Sequence, residues 1–452
     1  MITTVLAFLL TLGVLIVVHE FGHYRVAVAC GVKVLRFSVG FGRVLWRRQA
    51  GPDQTEFVVC ALPLGGYVRM LDEREGTVLP SEVGRSFNRK PLWARAAIVS
   101  AGPAANLLLA VLLYASAHWI GITEPKAVLS KPAAGSLAES ATLRSGDWVR
   151  SWSRDGNEWT DVRSMTDLRW EITQAALVGE DLRLLVSDRD GRGSRTIRLE
   201  LSRITSRDVD AALMKQIGIG QVFGEPLMGE VKAGGPAAAA GLRAGDRVLT
   251  VDDAPVTDAQ ALRDGIRGAP DKAQVWRIER AGAQLLLNVK PRAVDDGGKR
   301  VGRVDAFVGG PPQMVLVRHG PIEGLSLGAA KTWEVSVLTL RMMGRILVGE
   351  ASLKNISGPL TIADYAGQSV NQGLAYYLGF LALVSVSLGV LNLLPLPMLD
   401  GGHLMYYLFE GLTGRPVSDL WLARLQRGGI ALLLMMMSVA LFNDVARLLG
   451  LH

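Results

Sequence analysis

Apolar residues run almost unbroken from Val5 to Val18, and the same density returns at roughly 96–120, 375–399 and 428–449. Each stretch approaches the ~20 residues a helix needs to cross hydrocarbon, so the pattern predicts four spans, the first over about 2–29. Between the first two spans the period changes to alternation. Arg36-Phe37-Ser38-Val39-Gly40-Phe41-Gly42 and Glu56-Phe57-Val58-Val59-Cys60-Ala61-Leu62-Pro63-Leu64-Gly65-Gly66-Tyr67 predict β structure. From about 122 to 320 charged and apolar residues mix as they do in a water-soluble domain. Gly324 to Val348 is apolar again but interrupted by Lys331, Glu334, Arg341 and Arg345, which predicts an amphipathic helix on or beside a membrane, followed by a break at Ser357-Gly358-Pro359.

The soluble block repeats itself. Leu143-Arg144-Ser145-Gly146-Asp147-Trp148-Val149 returns as Leu242-Arg243-Ala244-Gly245-Asp246-Arg247-Val248, each after a small-residue helix at 133–141 or 236–241. Two copies at domain-length spacing indicate tandem modules. The L-x-x-G-D-x-V pattern, followed by a strand and the turn Val251-Asp252-Asp253-Ala254-Pro255-Val256, resembles PDZ domains, which take up peptides at a sheet edge. The first copy continues Arg150-Ser151-Trp152-Ser153-Arg154-Asp155-Gly156 and is expected to lack the apolar residue found at Val251.

Composition agrees with segregation into membrane and soluble parts. The 452 residues are 49% hydrophobic and 20% charged, with mean hydropathy +0.26, too apolar for an ordinary soluble enzyme and too charged to lie wholly in a membrane. Lys33, Arg36, Arg43, Arg47, Arg48, Arg69, Arg74, Arg85, Arg89, Lys90 and Arg95 crowd the first loop, which predicts that 31–95 is cytoplasmic. The N-terminus, the large 122–374 region and the C-terminus then lie on the other side, and 400–427, with Arg415, Arg424 and Arg427, returns to the cytoplasm. The net charge of +7 is accounted for by these topology determinants, which also suit anionic membrane lipid; no nucleic-acid partner is expected. The two cysteines, Cys30 and Cys60, both precede the soluble block, so no disulfide framework is expected there and a Cys₄ zinc site is excluded.

The expected fold class is a polytopic α-helical membrane protein with four transmembrane helices, a membrane-associated β-hairpin region and two periplasmic PDZ-like α+β domains. The segments are a first span at 1–30, a cytoplasmic-side hairpin region at 31–95, a second span at 96–120, PDZ-like domains at 122–220 and 221–310, amphipathic helices at 320–374, a third span at 375–400, a cytoplasmic loop at 401–427 and a fourth span at 428–449.

Chemistry enters at the end of the first apolar run. His19-Glu20-Phe21-Gly22-His23 is H-E-x-x-H, whose two histidines share a helix face and can bind one Zn²⁺ while Glu20 takes a proton from water. The pattern alone is weak, but ionisable groups at membrane depth cost on the order of 2–3 kcal/mol each and usually mark function. A signal peptide, with Ala27-Val28-Ala29 as its cleavage site, would need a basic flank before the apolar run and no charges inside it; neither condition holds.

A catalytic zinc keeps three protein ligands and one open position. Asn392-Leu393-Leu394-Pro395-Leu396-Pro397-Met398-Leu399-Asp400-Gly401-Gly402-His403 ends the third span. Its prolines break the helix, and broken backbone at membrane depth requires surrounding protein or a cavity. Asp400 is the carboxylate at matching depth, with a helix-capping role as the alternative; His403 reads as a group behind the ligands or at the interface. His118, His319 and His452 stand at no ligand spacing. The 34–70 hairpin, including Gly65, Gly66 and Tyr67, is either structural or an edge on which an unwound substrate helix pairs.

These motifs, with Leu62-Pro63-Leu64-Gly65-Gly66-Tyr67-Val68-Arg69-Met70, Ala101-Gly102-Pro103-Ala104-Ala105-Asn106 and Ser357-Gly358-Pro359-Leu360, resemble the site-2 protease family of intramembrane metalloproteases over the whole chain. The resemblance implies that His19, His23 and Asp400 hold zinc, that Glu20 is the catalytic base and that Asn392 helps hold the substrate backbone. It also implies a bacterial inner-membrane enzyme with its site near the cytoplasmic side. The substrate it implies is a single-span anti-sigma factor trimmed by a periplasmic protease, with signal-peptide remnants as further substrates. The PDZ-like pair would exclude uncut substrates or read a new C-terminus. A non-catalytic membrane-anchored PDZ binding protein is the competing reading, disfavoured because a structural zinc site is closed by four protein ligands. Metal transport lacks the further intramembrane carboxylates and histidines of a relay.

Overall fold

The computed structural model describes residues 2–204, 216–219, 221–348 and 358–448. Ser357 of the expected break and His452 lie outside the described residues. The chain divides into two compact units, Met1–Ile122 with Arg318–His452, and Thr123–Val317.

In the first unit, helix α1 (Ile2–Ala29) carries the H-E-x-x-H residues and ends where Gly31 takes φ 69, the left-handed backbone that favours glycine after a helix. Strands β1 (Val34–Ala50) and β2 (Thr55–Met70) follow. They fold back on themselves, so Arg36, Phe37, Ser38 and Val39 pair on one side with Arg69, Val68, Tyr67 and Gly66 and on the other with Glu56, Phe57, Val58 and Val59. The run Gly66–Met70 is thereby left at a sheet margin, with no strand on its outer side among the described residues.

Helix α2 (Leu92–Ile120) starts after Pro91 and stops at Gly121, φ 113. Helices α3 (Pro321–Leu347) and α5 (Leu374–Asn392) pack against it, while α4 (Pro359–Gln372) packs against α1 and α5. Ala110 and Tyr114 of α2, Val335 of α3, and Ala382, Val386 and Val390 of α5 form one buried cluster. A helix covers the stretch expected to be amphipathic, and Ile322, Trp333, Leu338 and Leu340 on it are exposed.

The C-terminal bounds depart from the hydropathy reading. Helix α5 ends at Asn392 rather than at 399 or 400, because Pro395 and Pro397 cannot donate to an α-helical ladder. The segment 401–427, expected as a loop, contains helix α6 (Asp400–Thr413), and helix α7 (Asp419–Leu448) begins well before 428. Among the described residues, four helices are long and apolar enough to cross a membrane: α1, α2, α5 and, within α7, Leu420–Ala446. Asp444, 2% exposed, is a buried carboxylate near the end of a helix apolar enough to cross a membrane, and hydropathy passes over it. It accepts from the backbone N–H of Gly358, Leu360 and Thr361 at 3.0, 2.9 and 3.2 Å and so caps α4 from another helix. His118 and His319 are not isolated either: their rings pack edge to face at 4.9 Å, and His319 Nδ1 lies 3.1 Å from Glu323.

In the second unit the repeat is visible as two antiparallel four-stranded sheets of identical order. Thr160–Asp161, Trp148–Ser153, Leu182–Ser187 and Arg195–Leu199 form one; Ala254–Pro255, Arg247–Val251, Gln274–Arg280 and Ala283–Val289 form the other. The shared aspartate does the same work twice. Asp147 accepts from the Arg144 N–H at 2.7 Å and pairs with Arg195 at 2.6 Å, while Asp246 accepts from the Arg243 N–H at 2.8 Å and pairs with Arg280 at 2.6 Å. The first copy does not lack the apolar residue matching Val251: Trp152 stands there, pairing with Thr160 and Leu184 and packing on its own core as Val251 packs on the second.

Candidate metal centre

Three donor atoms converge from the two ends of the first unit. His19 Nε2 is 3.2 Å from His23 Nε2 and 3.2 Å from Asp400 Oδ2, and His23 Nε2 is 3.6 Å from the same oxygen. The histidines meet because i and i+4 overlie one another on α1. Asp400 reaches them as the first residue of α6, where its carboxylate turns toward the imidazoles instead of into a cap. The preceding chain is bent sharply: Met398 holds φ 83, a left-handed backbone that costs a non-glycine residue about 1–2 kcal/mol.

The donor set fits zinc. Bonds of about 2.0–2.2 Å in a tetrahedral site place donors roughly 3.4 Å apart, which matches the triangle. The tautomers agree as well. His23 Nδ1 lies 2.8 Å from the carbonyl of Ile98, a group that only accepts, so Nδ1 bears the hydrogen and Nε2 presents its lone pair to Asp400 and His19. Lone pairs and a carboxylate gathered this closely are stabilised by a cation between them. A cluster of this kind is formed, among the described residues, by His19, His23 and Asp400 alone.

Helix α2 supplies the wall behind the rings. A side chain on Gly102 would overlap the His23 imidazole and approach Cε1 of His19 to 2.8 Å, so only glycine leaves both rings their place. Gly22 packs in the same way on the backbone of Ala101, bringing α1 and α2 together as small residues do between membrane helices. Pro103, next to Gly102, interrupts the α2 ladder beside the carbonyl that His23 uses.

His19, Glu20, Gly65, Gly66, Asn392 and Asp400 line one cavity of about 270 Å³. Glu20 is not in the donor triangle; a Cβ on Gly66 would lie 2.9 Å from its Cγ, so the sheet margin touches the glutamate directly. Asn392 enters as the last residue of α5. Tyr67 is not among the cavity-lining residues: it stacks on Phe41 at 6.0 Å and its hydroxyl accepts from Arg36 at 3.3 Å. His403 packs against the ring of Tyr406 at 5.9 Å, outside the triangle. The motif Ala101-Gly102-Pro103-Ala104-Ala105-Asn106 shows no role in the sequence alone. Its signal was a lone asparagine and a Gly-Pro pair inside an otherwise apolar helix.

Comparison with known proteins supplies the family. Residues 7–436 match the model of peptidase family M50. A protein of Ralstonia nicotianae with a provisional zinc metalloprotease name is 43% identical over 99% of each chain. The regulator of sigma-E protease RseP of Escherichia coli K12 is 38% identical over 98% of each chain, and the regulator of sigma E protease of Salmonella typhi is 39% identical over 98% of each. The PDZ domain of an SdrC-like protein from Listeria monocytogenes aligns with 20% of this chain and 90% of that one at 21% identity and a TM-score of 0.17, too slight a likeness to carry weight. Match and donor geometry lead to one conclusion: the chain belongs to peptidase family M50 and is a zinc metalloprotease.

Proposed function

We propose that this enzyme hydrolyses peptide bonds inside the transmembrane segments of single-span proteins, with His19, His23 and Asp400 as zinc ligands and Glu20 as the base. The observation that carries the reading is the position of the donor triangle. Its histidines sit on α1, a helix long and apolar enough to cross a membrane, and its cavity is lined by the end of α5, another such helix. Bound there, zinc supplies Lewis acidity to water and to the substrate carbonyl. The Glu20 carboxylate accepts a proton from the attacking water and returns it to the leaving nitrogen. Asn392 and the margin at Gly65 and Gly66 hold the unwound substrate backbone, the margin by adding it as a further strand.

Basic residues in 31–95 favour a cytoplasmic site, with the two repeats as periplasmic PDZ-like domains in a bacterial inner membrane. Relatives named regulators of sigma E favour an anti-sigma factor as the substrate, and remnant signal peptides share its single-span chemistry. The repeats act as a size filter; deletion of about residues 126–310 should let the enzyme cut an untrimmed substrate, and continued refusal would place selection elsewhere. The direct test compares native chain with Glu20→Gln on a tagged single-span substrate in membranes, with zinc measured in both. Glu20→Gln should hold zinc and lose cleavage; full activity would sink the mechanism, and lost zinc would make Glu20 a ligand.

A further inference from the structure

The two imidazoles are held differently at their far nitrogens. His23 leans on a backbone carbonyl, but His19 Nδ1 faces the side chain of Asn106, whose Nδ2 lies 3.3 Å away. Asn106 is 1% exposed, and its Oδ1 is buried with no hydrogen-bond partner. An amide that donated to Nδ1 would leave the His19 lone pair there and put the hydrogen on Nε2, facing the donor triangle. It would also leave Oδ1 orphaned at about 1–3 kcal/mol. The oxygen and nitrogen of a carboxamide have nearly the same size, and their assignment follows from the hydrogen bonds they make. Turning the amide over gives Oδ1 a donor in Nδ1–H and leaves Nε2 free as a ligand.

We propose that Asn106 is a positioning residue, whose Oδ1 accepts from His19 Nδ1–H and holds that ring in its ligating tautomer, as the Ile98 carbonyl does for His23. Ligating histidines are usually fixed by such a partner, and its loss typically weakens metal binding about 10–100-fold. The backbone under Asn106 is itself secured, because Ser385 Oγ–H on α5 donates to its carbonyl at 2.7 Å. Both outer partners therefore come from α2, so that this helix orients both histidines of α1.

The inference rests on His19 being a zinc ligand, which His19→Ala tests separately. The full chain is purified with zinc and titrated with a competing chelator, and the retained metal is measured. Asn106→Leu, similar in size but unable to accept, should lose zinc at a chelator concentration about 10–100-fold lower. Asn106→Asp, which can only accept, should stay within about threefold of the native chain. Equal loss in Asn106→Asp and Asn106→Leu would overturn the proposal, since packing or donation would then be what matters. Native retention in Asn106→Leu would overturn it too. If Asn106→Leu fails to fold, the Asn106→Asp result decides alone. Unchanged zinc in His19→Ala would instead remove the ligand assignment beneath it.

Discussion

His19 Nε2 and Asp400 Oδ2 lie 3.2 Å apart, although one belongs to α1 and the other opens α6. The contact joins the N-terminal and C-terminal parts of the first unit at the one place, among the described residues, where such donor atoms converge. Asp400→Asn keeps the shape but removes the anion. It should weaken zinc binding by more than the 10–100-fold typical of an outer partner and abolish proteolysis, while the protein still inserts in membranes. Native zinc content and turnover in that variant would put the third ligand elsewhere, with His403 the next residue to test.

Gly102 offers a test that touches no ligand. Gly102→Ala adds a methyl where the His23 imidazole lies, so one ring must leave its position. Overpacking of this kind costs about 1–3 kcal/mol, enough to displace the ligand without unfolding the chain. Zinc content should fall sharply while far-ultraviolet circular dichroism stays native. Full zinc occupancy would mean that α1 can withdraw from α2.

Asp444 carries a structural prediction. Its oxygens are taken up by three backbone N–H groups and the Thr361 hydroxyl at the start of α4, so it caps a helix. Asp444→Leu strands these donors and should destabilise the chain by about 2–4 kcal/mol. A lowered thermal midpoint in detergent, with native zinc content at low temperature, is expected. Loss of cleavage without loss of stability would contradict the cap.

Much of this arrangement was legible in the chain. H-E-x-x-H encodes its own geometry through the helical repeat, and Asp400, whose carboxylate lies beside both histidines, is marked in the sequence by two prolines that announce a broken helix. The bounds of that break were not legible. Hydropathy runs on through Leu393–Leu399, whereas the missing N–H groups of Pro395 and Pro397 stop α5 at Asn392. Helix α6 was hidden by the two glycines in its first turn. Gly102 and Asn106 escaped assignment because a small residue or a lone amide acquires its role from what packs across from it. His118 and His319 meet only once α2 and α3 are side by side. Trp152 was passed over because it is bulkier and more polar than the valine it replaces, although it fills the same site in the repeat.

The soluble unit should respond to acid through Asp246, 1% exposed. Burial pushes its carboxyl up, but the Arg280 guanidinium and the Arg243 N–H more than offset this and hold it below the usual carboxylate range. A group depressed by folding stabilises the native state above its unfolded value and ceases to do so as pH falls toward the folded one. Protection of the 228–308 region from limited proteolysis should therefore fall below about pH 4. Asp246→Asn should cost about 2 kcal/mol at neutral pH, roughly a 30-fold larger open fraction, and should flatten that acid response. An unchanged acid response in the variant would assign it to other carboxylates.

The central claim is that hydrolysis takes place within a membrane-spanning segment. Its most direct test is the position of the cut. A single-span substrate is incubated with the enzyme in membranes, and the new termini are identified by mass spectrometry. The expected result is a bond inside the apolar stretch of ~20 residues, cut by the native chain and left intact by Glu20→Gln that still holds zinc. New termini only in the polar flanks, or the same cut made by Glu20→Gln, would contradict it.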